Sequence, residues 1–170
     1  MLQKLINPIS PNYLTAKEFI LGKQFSWGYN SSTVTWEDDN DFGFYTHSFL
    51  DRPDPAVNRY HSKPASKNLE PMVVVFTEIA KANNININTI YRMATNAVEP
   101  QLRIKTSPEH VDHDFPHKNM LIYLTDAGGD TVCEGERHNP KEDDVILFEG
   151  KHYHYTPKTK RRVICLMTYA

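Results

Sequence analysis

The stretch His110-Val111-Asp112 does more than any other to limit how this chain can fold. Histidine and aspartate two residues apart share one face of a strand, because side chains alternate between faces, and Val111 then points the other way. Further on come His154 and then Arg162, which opens a final apolar run. Two histidines and one carboxylate can take one face of an octahedral ion and leave the opposite face open, an arrangement suited to Fe(II). Ligands carried by well-separated strands need a closed β scaffold to bring them together, and a jelly roll is one.

The patterning agrees with that scaffold in the second half of the chain. Short apolar runs at 91–97, 101–106, 120–124, 131–133, 145–148 and 162–167 read as strands. Asp126-Ala127-Gly128-Gly129-Asp130 and Glu149-Gly150 read as turns, and Asn139-Pro140 as a break. The first half reads differently. Ser10-Pro11 can open a short helix over 12–21, with proline in its first turn. Met72, Val73, Phe76, Ile79 and Ala80 recur at helical spacing within 68–83, with Asn83-Asn84 as a stop. A short strand is expected at 31–36, a solvated loop at 37–41, and irregular chain at 51–55; 85–90 fits a short helix or a strand equally well. Helical cover first and β-rich core second predicts an α+β, mainly β fold: a double-stranded β-helix with N-terminal helices packed on one sheet. One domain is expected over 1–170, with 1–84 as helical and aromatic-rich support and 85–170 as the jelly-roll core.

Composition narrows the partners. The formal net charge is -2, from 19 basic and 21 acidic residues, which gives no support to nonspecific nucleic-acid binding. No apolar run approaches membrane-spanning length, and the N-terminus lacks a long apolar leader core. Cys133 and Cys165 are too few for a disulfide framework or a cysteine-based zinc site, so a cytoplasmic protein with reduced thiols is expected.

From about residue 85 onward the chain resembles the Fe(II)/2-oxoglutarate-dependent oxygenases, and most of all their small prolyl-4-hydroxylase-like members of phage and bacterial type. The resemblance rests on HVDHDFPHKNMLIYL, then AGGDT, then DDVILFEGKHYHYTPKTKRRVICLMTY. These segments hold a His-x-Asp before a strand ending in Tyr-Leu, a Gly-Gly-x-Thr turn, and an apolar strand ending in Phe. A histidine follows, then a proline, then a basic residue opening the last strand. Gln24-Phe25-Ser26-Trp27-Gly28-Tyr29 loosely resembles the aromatic entry motif of the phage members.

The resemblance implies His110, Asp112 and a distal histidine as Fe(II) ligands. His154, six past Phe148, fits the common family arrangement; His152 is the alternative ligand or else a neighbouring pocket residue. It implies Arg162, with Arg161 as the alternative, as the clamp on the far carboxylate of 2-oxoglutarate, since a guanidinium fork binds carboxylate in two parallel hydrogen bonds. Tyr123 matches a tyrosine that reaches the same carboxylate. With dioxygen as the remaining reactant, the implied activity is hydroxylation of a peptidyl or amino-acid C–H bond with release of succinate and CO2. A cupin-like metal-binding jelly roll without 2-oxoglutarate chemistry is one alternative, although cupins favour His-x-His over the His-x-Asp seen here. A nucleobase-directed oxygenase is the other. If the chain is phage-encoded, its place is the host cytoplasm. His113, Asp114, His117 and Asn119 are near enough in sequence to orient the ligands. His138 is expected to be solvated, and His47 and His61 to have no functional role. The N-terminal aromatics are expected in core and lid packing. Any lid is expected from them, from 99–109 or from a second subunit.

Overall fold

The computed structural model describes residues 1–34 and 38–170. In chain order the elements are β1 (Leu2–Leu5), α1 (Pro11–Leu21), β2 (Gly28–Asn30), β3 (Phe44–Asp51), β4 (Lys63–Pro64), α2 (Leu69–Ala82), β5 (Ile90–Val98) and β6 (Lys118–Tyr123). After these come β7 (Thr131–Cys133), β8 (Glu136–His138), β9 (Val145–Phe148), β10 (His152–His154) and β11 (Arg162–Tyr169). The larger sheet runs β1-β9-β6-β11-β5-β3-β2, with β4 on β3, and every pairing in it is antiparallel. The smaller sheet runs β10-β7-β8. It is extended past β10 by single bridges from Thr106 to Tyr155 and from His110 to His152. Two antiparallel sheets face each other, with both helices in the first half of the chain. This is the mainly β double-stranded β-helix that the strand pattern predicts.

Strand β11 shows how the sequence builds two cores at once. Val163, Cys165 and Met167 face the helices and share a core with Tyr13, Phe76 and Ile79. Ile164 and Leu166 face the smaller sheet and pack with Leu121, Tyr123 and Phe148. Each large apolar side chain taken out of water contributes about 1.5–3 kcal/mol, so the central strand is stabilised from both faces. By the same alternation Arg162 shares the inner face with Ile164. Across the ladder, Ile164 pairs with Asn96, Leu166 with Ala94 and Thr168 with Arg92. The inner face of β5 therefore carries Arg92 and Asn96 towards the space between the sheets.

The helices hold by local rules. Ser10 caps α1, its Oγ accepting from the Tyr13 amide at 3.1 Å, and Pro11 occupies the first turn. Lys17 Nζ meets Asp143 at 2.6 Å, fastening α1 to the loop before β9. On α2, Met72, Val75, Phe76, Ile79 and Ala80 are buried. The Asn83 side chain at its end donates to the Ile79 carbonyl and exchanges hydrogen bonds with the Ile6 backbone. Among the described residues no helix is long and apolar enough to cross a membrane.

Three expectations fail for physical reasons, and a fourth is described only in part. Residues 101–106 form no strand: only Thr106 bridges, and Leu102 stands fully exposed. Residues 85–90 are neither helix nor strand up to Ile90, because Asn88 and Thr89 spend their amides on the Ala170 carbonyl. The described part of 31–36 is a bend, and Thr35 and Trp36 lie outside the described residues. Asp41, placed by pattern in a solvated loop, is buried, because Thr33 gives it both its amide and its hydroxyl.

Candidate metal centre

His110 and His152 face each other across a cross-strand pair in which each amide donates to the other's carbonyl, at 3.0 and 2.9 Å. Residues paired in this way hold their side chains side by side, and the two imidazole centroids are 4.5 Å apart. Asp112, two residues on, brings Oδ2 to 3.5 Å from His152 Nε2, while Val111 turns outward and is 44% exposed. The Nδ1 of His110 lies 2.9 Å from the Pro108 carbonyl and that of His152 lies 3.2 Å from the Gly150 carbonyl. A carbonyl only accepts, so Nδ1 carries the proton in both rings and Nε2 presents its lone pair. Backbone carbonyls perform the orienting that was expected of His113, Asp114, His117 or Asn119.

His154 shares the inward face of β10 but stands farther from His110 than His152 does. Its Nδ1 meets Thr131 Oγ1 at 2.8 Å, and that hydroxyl meets the Tyr123 hydroxyl at 2.5 Å. Its ring centroid is 6.3 Å from that of His110. The geometry therefore sets His152, and not the preferred His154, against the His-x-Asp pair. Among the described residues no group of three His, Cys, Asp or Glu side chains already stands in ligating geometry.

The electrostatics suit ligation. Burial alone would raise the Asp112 carboxyl, but His152, Arg92, His110 and Arg52 together hold it far below the usual carboxylate range. Arg92 Nη1 donates to Asp112 Oδ1 at 3.0 Å, which leaves Oδ2 on the His152 side. Arg52 Nη1 donates to the Asp112 carbonyl at 2.8 Å. Burial lowers His152; burial, and then the Arg162 charge, lower His154 further, so both imidazoles are neutral at pH 7. Neutral imidazoles and a charged carboxylate are the forms that bind a metal. Burial and Arg52 bring Arg92 down to about 10, which keeps it charged at neutral pH.

The two arginine candidates separate cleanly. Arg161 is exposed, pairs with Glu99 and lies over the Tyr45 ring. Arg162 is 3% exposed, and its Nη1 donates to the carbonyls of Gly129 at 2.7 Å and Tyr155 at 2.9 Å. Its Nε is buried with no partner among the described residues, a donor waiting for an acceptor. Gly129 adopts φ +81°, and a Cβ there would stand 2.8 Å from the Tyr155 carbonyl and 3.0 Å from Arg162 Nη1. Glycine is needed at this position both for the backbone and for the arginine. Tyr123 lies fully buried near Arg162, pushed up to about 12 by burial.

A cavity of about 820 Å³ opens onto these groups, lined by His110, Asp112, His152, His154 and Arg162 together with Arg52, Arg92 and Asn96. Arg52, Arg92 and Asn96 were not anticipated; an arginine or asparagine on an alternating strand carries no signal until the register is known. His113 is buried and meets Thr168 Oγ1 at 2.7 Å, and His117 Nδ1 meets the Phe115 carbonyl at 2.8 Å. Asn119 is buried with neither amide atom partnered among the described residues. His138 is not solvated: it faces Asp144 at 3.2 Å with 11% of its side chain exposed. His47 bonds the Ser26 carbonyl and Ser66 and packs against Phe25 and Phe49, a structural role. Phe25 and Phe49 are core, whereas Phe42 and Phe44 line the cavity.

No protein-family model and no curated protein matches the chain. Its neighbours among solved structures include an oxygenase of the 2OG-Fe(II) family and prolyl hydroxylases. A 2OG-Fe(II) oxygenase family oxidoreductase from Burkholderia pseudomallei is 13% identical at a TM-score of 0.64, over 93% of this chain and 77% of that one. A prolyl-4-hydroxylase from Pseudomonas putida is 15% identical at 0.54, over 99% and 91%. A prolyl hydroxylase from Trichoplax adhaerens, solved with a peptide of the hypoxia inducible factor oxygen degradation domain, is 12% identical at 0.61, over 99% and 82%. At these identities the likeness is one of fold.

Proposed function

We propose that this chain is an Fe(II)- and 2-oxoglutarate-dependent dioxygenase, with residues 1–170 acting as one catalytic domain in the cytoplasm. The observation that carries the reading is the His110–His152 pair with Asp112 beside it, facing the same cavity as a buried Arg162 whose Nε lacks a partner among the described residues. His110, Asp112 and His152 would hold the iron. Arg162 would bind the far carboxylate of 2-oxoglutarate, with Tyr123 supporting that corner through Thr131. His154, tied to Thr131 and next to Arg162, borders the cosubstrate. When bound, the iron and 2-oxoglutarate supply an oxidant from dioxygen, giving succinate and CO2 and placing one oxygen atom in a substrate C–H bond. The protein contributes positioning and exclusion of water. The substrate is a peptidyl or free amino acid, in keeping with the neighbouring hydroxylase solved with a peptide.

The test is an anaerobic titration with Fe(II) and 2-oxoglutarate, following the visible metal-to-ligand charge-transfer band and, separately, iron affinity. Wild type forms the band. His152→Ala loses iron affinity by more than the roughly 10–100-fold that losing an outer hydrogen-bond partner costs, whereas His154→Ala still binds iron. The opposite pattern would return the third ligand to His154. Iron bound with no band at any 2-oxoglutarate concentration would leave a metal-binding jelly roll in place of an oxygenase.

A further inference from the structure

Arg52 and Arg92 hold more donors than Asp112 uses. Each gives one Nη1 hydrogen bond to Asp112, and among the described residues neither side chain makes another. Neither has a buried unpartnered nitrogen, so the remaining N–H groups are open to solvent, and both residues line the cavity. The two guanidiniums sit close enough for each to bear on the other's charge. Asp54 is held by Arg59 and the Ala56 amide; Asp51, which accepts from the Ser48 hydroxyl, offsets part of the Arg92 charge and leaves Arg52 without a side-chain carboxylate partner among the described residues. Asn96, on the same inner face of β5, accepts from Thr46 through Oδ1, which leaves its amide donors for the cavity. Arg52 also stands where this cavity meets a second one of about 650 Å³, the two sharing Arg52, Pro53, Pro55 and Asp112.

We propose that the substrate carries a free carboxylate, bound at the Arg52–Arg92 pair while its reacting carbon faces the metal centre; this rests on the oxygenase reading above. Guanidinium forks bind carboxylates in pairs of parallel, charge-assisted hydrogen bonds. Arg92 holds the Asp112 oxygen turned away from His152 and Arg52 holds the Asp112 carbonyl, so a group anchored on the pair lies beside a proposed iron ligand and is a near neighbour of the oxidised carbon in the substrate. That describes a free amino acid or a short organic acid better than an internal residue of a long peptide. Arg162 cannot serve the same anion, since 2-oxoglutarate would occupy it.

The experiment is ligand-detected saturation-transfer NMR on the anaerobic protein with Fe(II) and saturating 2-oxoglutarate, so that Arg162 is filled. The probes are free amino acids and short dicarboxylic acids, each beside its carboxamide, with a phosphomonoester series alongside. Turnover of 2-oxoglutarate in air is measured on the same set. We expect acids to bind and stimulate turnover, carboxamides to do neither, and Arg52→Gln to weaken acid binding roughly 10- to 100-fold. In that variant the charge-transfer band shows that the metal corner is intact. If the band forms but carboxamides bind as well as acids, or Arg52→Gln leaves acid binding unchanged, this proposal is overturned and the oxygenase reading stands. Binding of phosphomonoesters in place of carboxylates overturns the carboxylate assignment. Absence of the band in wild type removes the oxygenase reading and this inference with it.

Discussion

Replacing Gly129 with alanine tests the link between a turn and the Arg162 corner. Gly129 and its neighbour Gly128 both adopt positive φ, +81° and +68°. A Cβ at Gly128 would meet nothing within 4 Å, whereas one at Gly129 would press on the Tyr155 carbonyl and on Arg162. Gly128→Ala therefore pays only for a left-handed L-residue, about 1–2 kcal/mol. Gly129→Ala pays that and also disturbs charge-assisted bonds from Arg162 Nη1 to Gly129 and Tyr155, worth about 1.5–3 kcal/mol. The difference between the variants should be about 1.5–3 kcal/mol, or roughly 3–12 °C in melting temperature at 2–4 °C per kcal/mol. Calorimetry of the metal-free protein reads it directly. Anaerobic titration should in addition show weakened 2-oxoglutarate binding in Gly129→Ala and not in Gly128→Ala. Equal melting temperatures for the two variants would refute the contact argument, because backbone strain would then account for the whole effect.

The two arginines should separate in solution as they do in the fold. Arg161 and Glu99 are 45% and 42% exposed, so Arg161→Ala should change stability by about 0.5 kcal/mol or less and leave 2-oxoglutarate affinity alone, while Arg162→Met should weaken that affinity roughly 100-fold. Stability of the metal-free protein should fall from pH 7 to pH 5. Burial and then His117 bring His113 down to about 4, and burial also lowers His152 and His154. A histidine lowered on folding binds more protons when unfolded, so its stabilisation is present above about 6.5 and is lost as pH falls towards the folded value. Urea midpoints at the two pH values check this, and His113→Gln should flatten the slope; a midpoint that rises on acidification would contradict the burial of these rings.

Much of the architecture was readable because it is local. Residues 162–167 alternate between two faces, α1 carries its start signal at Ser10, and α2 carries its stop at Asn83. The His-x-Asp pair was readable for a similar reason, although the expected strand shrinks to a single bridge at His110, because the extended backbone there still sends Val111 outward. The third histidine was not. His152 and His154 obey the same period of two, and what separates them is which residue of β10 lies opposite His110, a register set between chain segments that are distant in sequence. Arg52 and Arg92 were invisible because an arginine in a turn or on an alternating strand normally points into water. The alternation at 101–106 promised a strand that found a neighbour only at Thr106, and Asp41 looked solvated because nothing nearby marks Thr33 as its partner.

The stretch between β5 and β6 lies at the rim of the smaller sheet, and its backbone ladder contacts run to β10 and the residues just after it: Ser107 to His154, His110 to His152, and Lys105 to Thr156. Two of the three proposed ligands thus lie on a stretch whose backbone is laddered to one neighbouring strand and which is otherwise tied to the barrel through side chains, Arg52 and Arg92 on Asp112 and His113 on Thr168. Such a flap can detach while the β11 core stays closed, since regions with few ladder bonds open at a fraction of the global unfolding free energy. The residence time of a bound ion would then be set by how often this flap swings away, independently of how well the rest of the barrel resists heat or urea. A preparation can pass every test of folding and still have lost its iron.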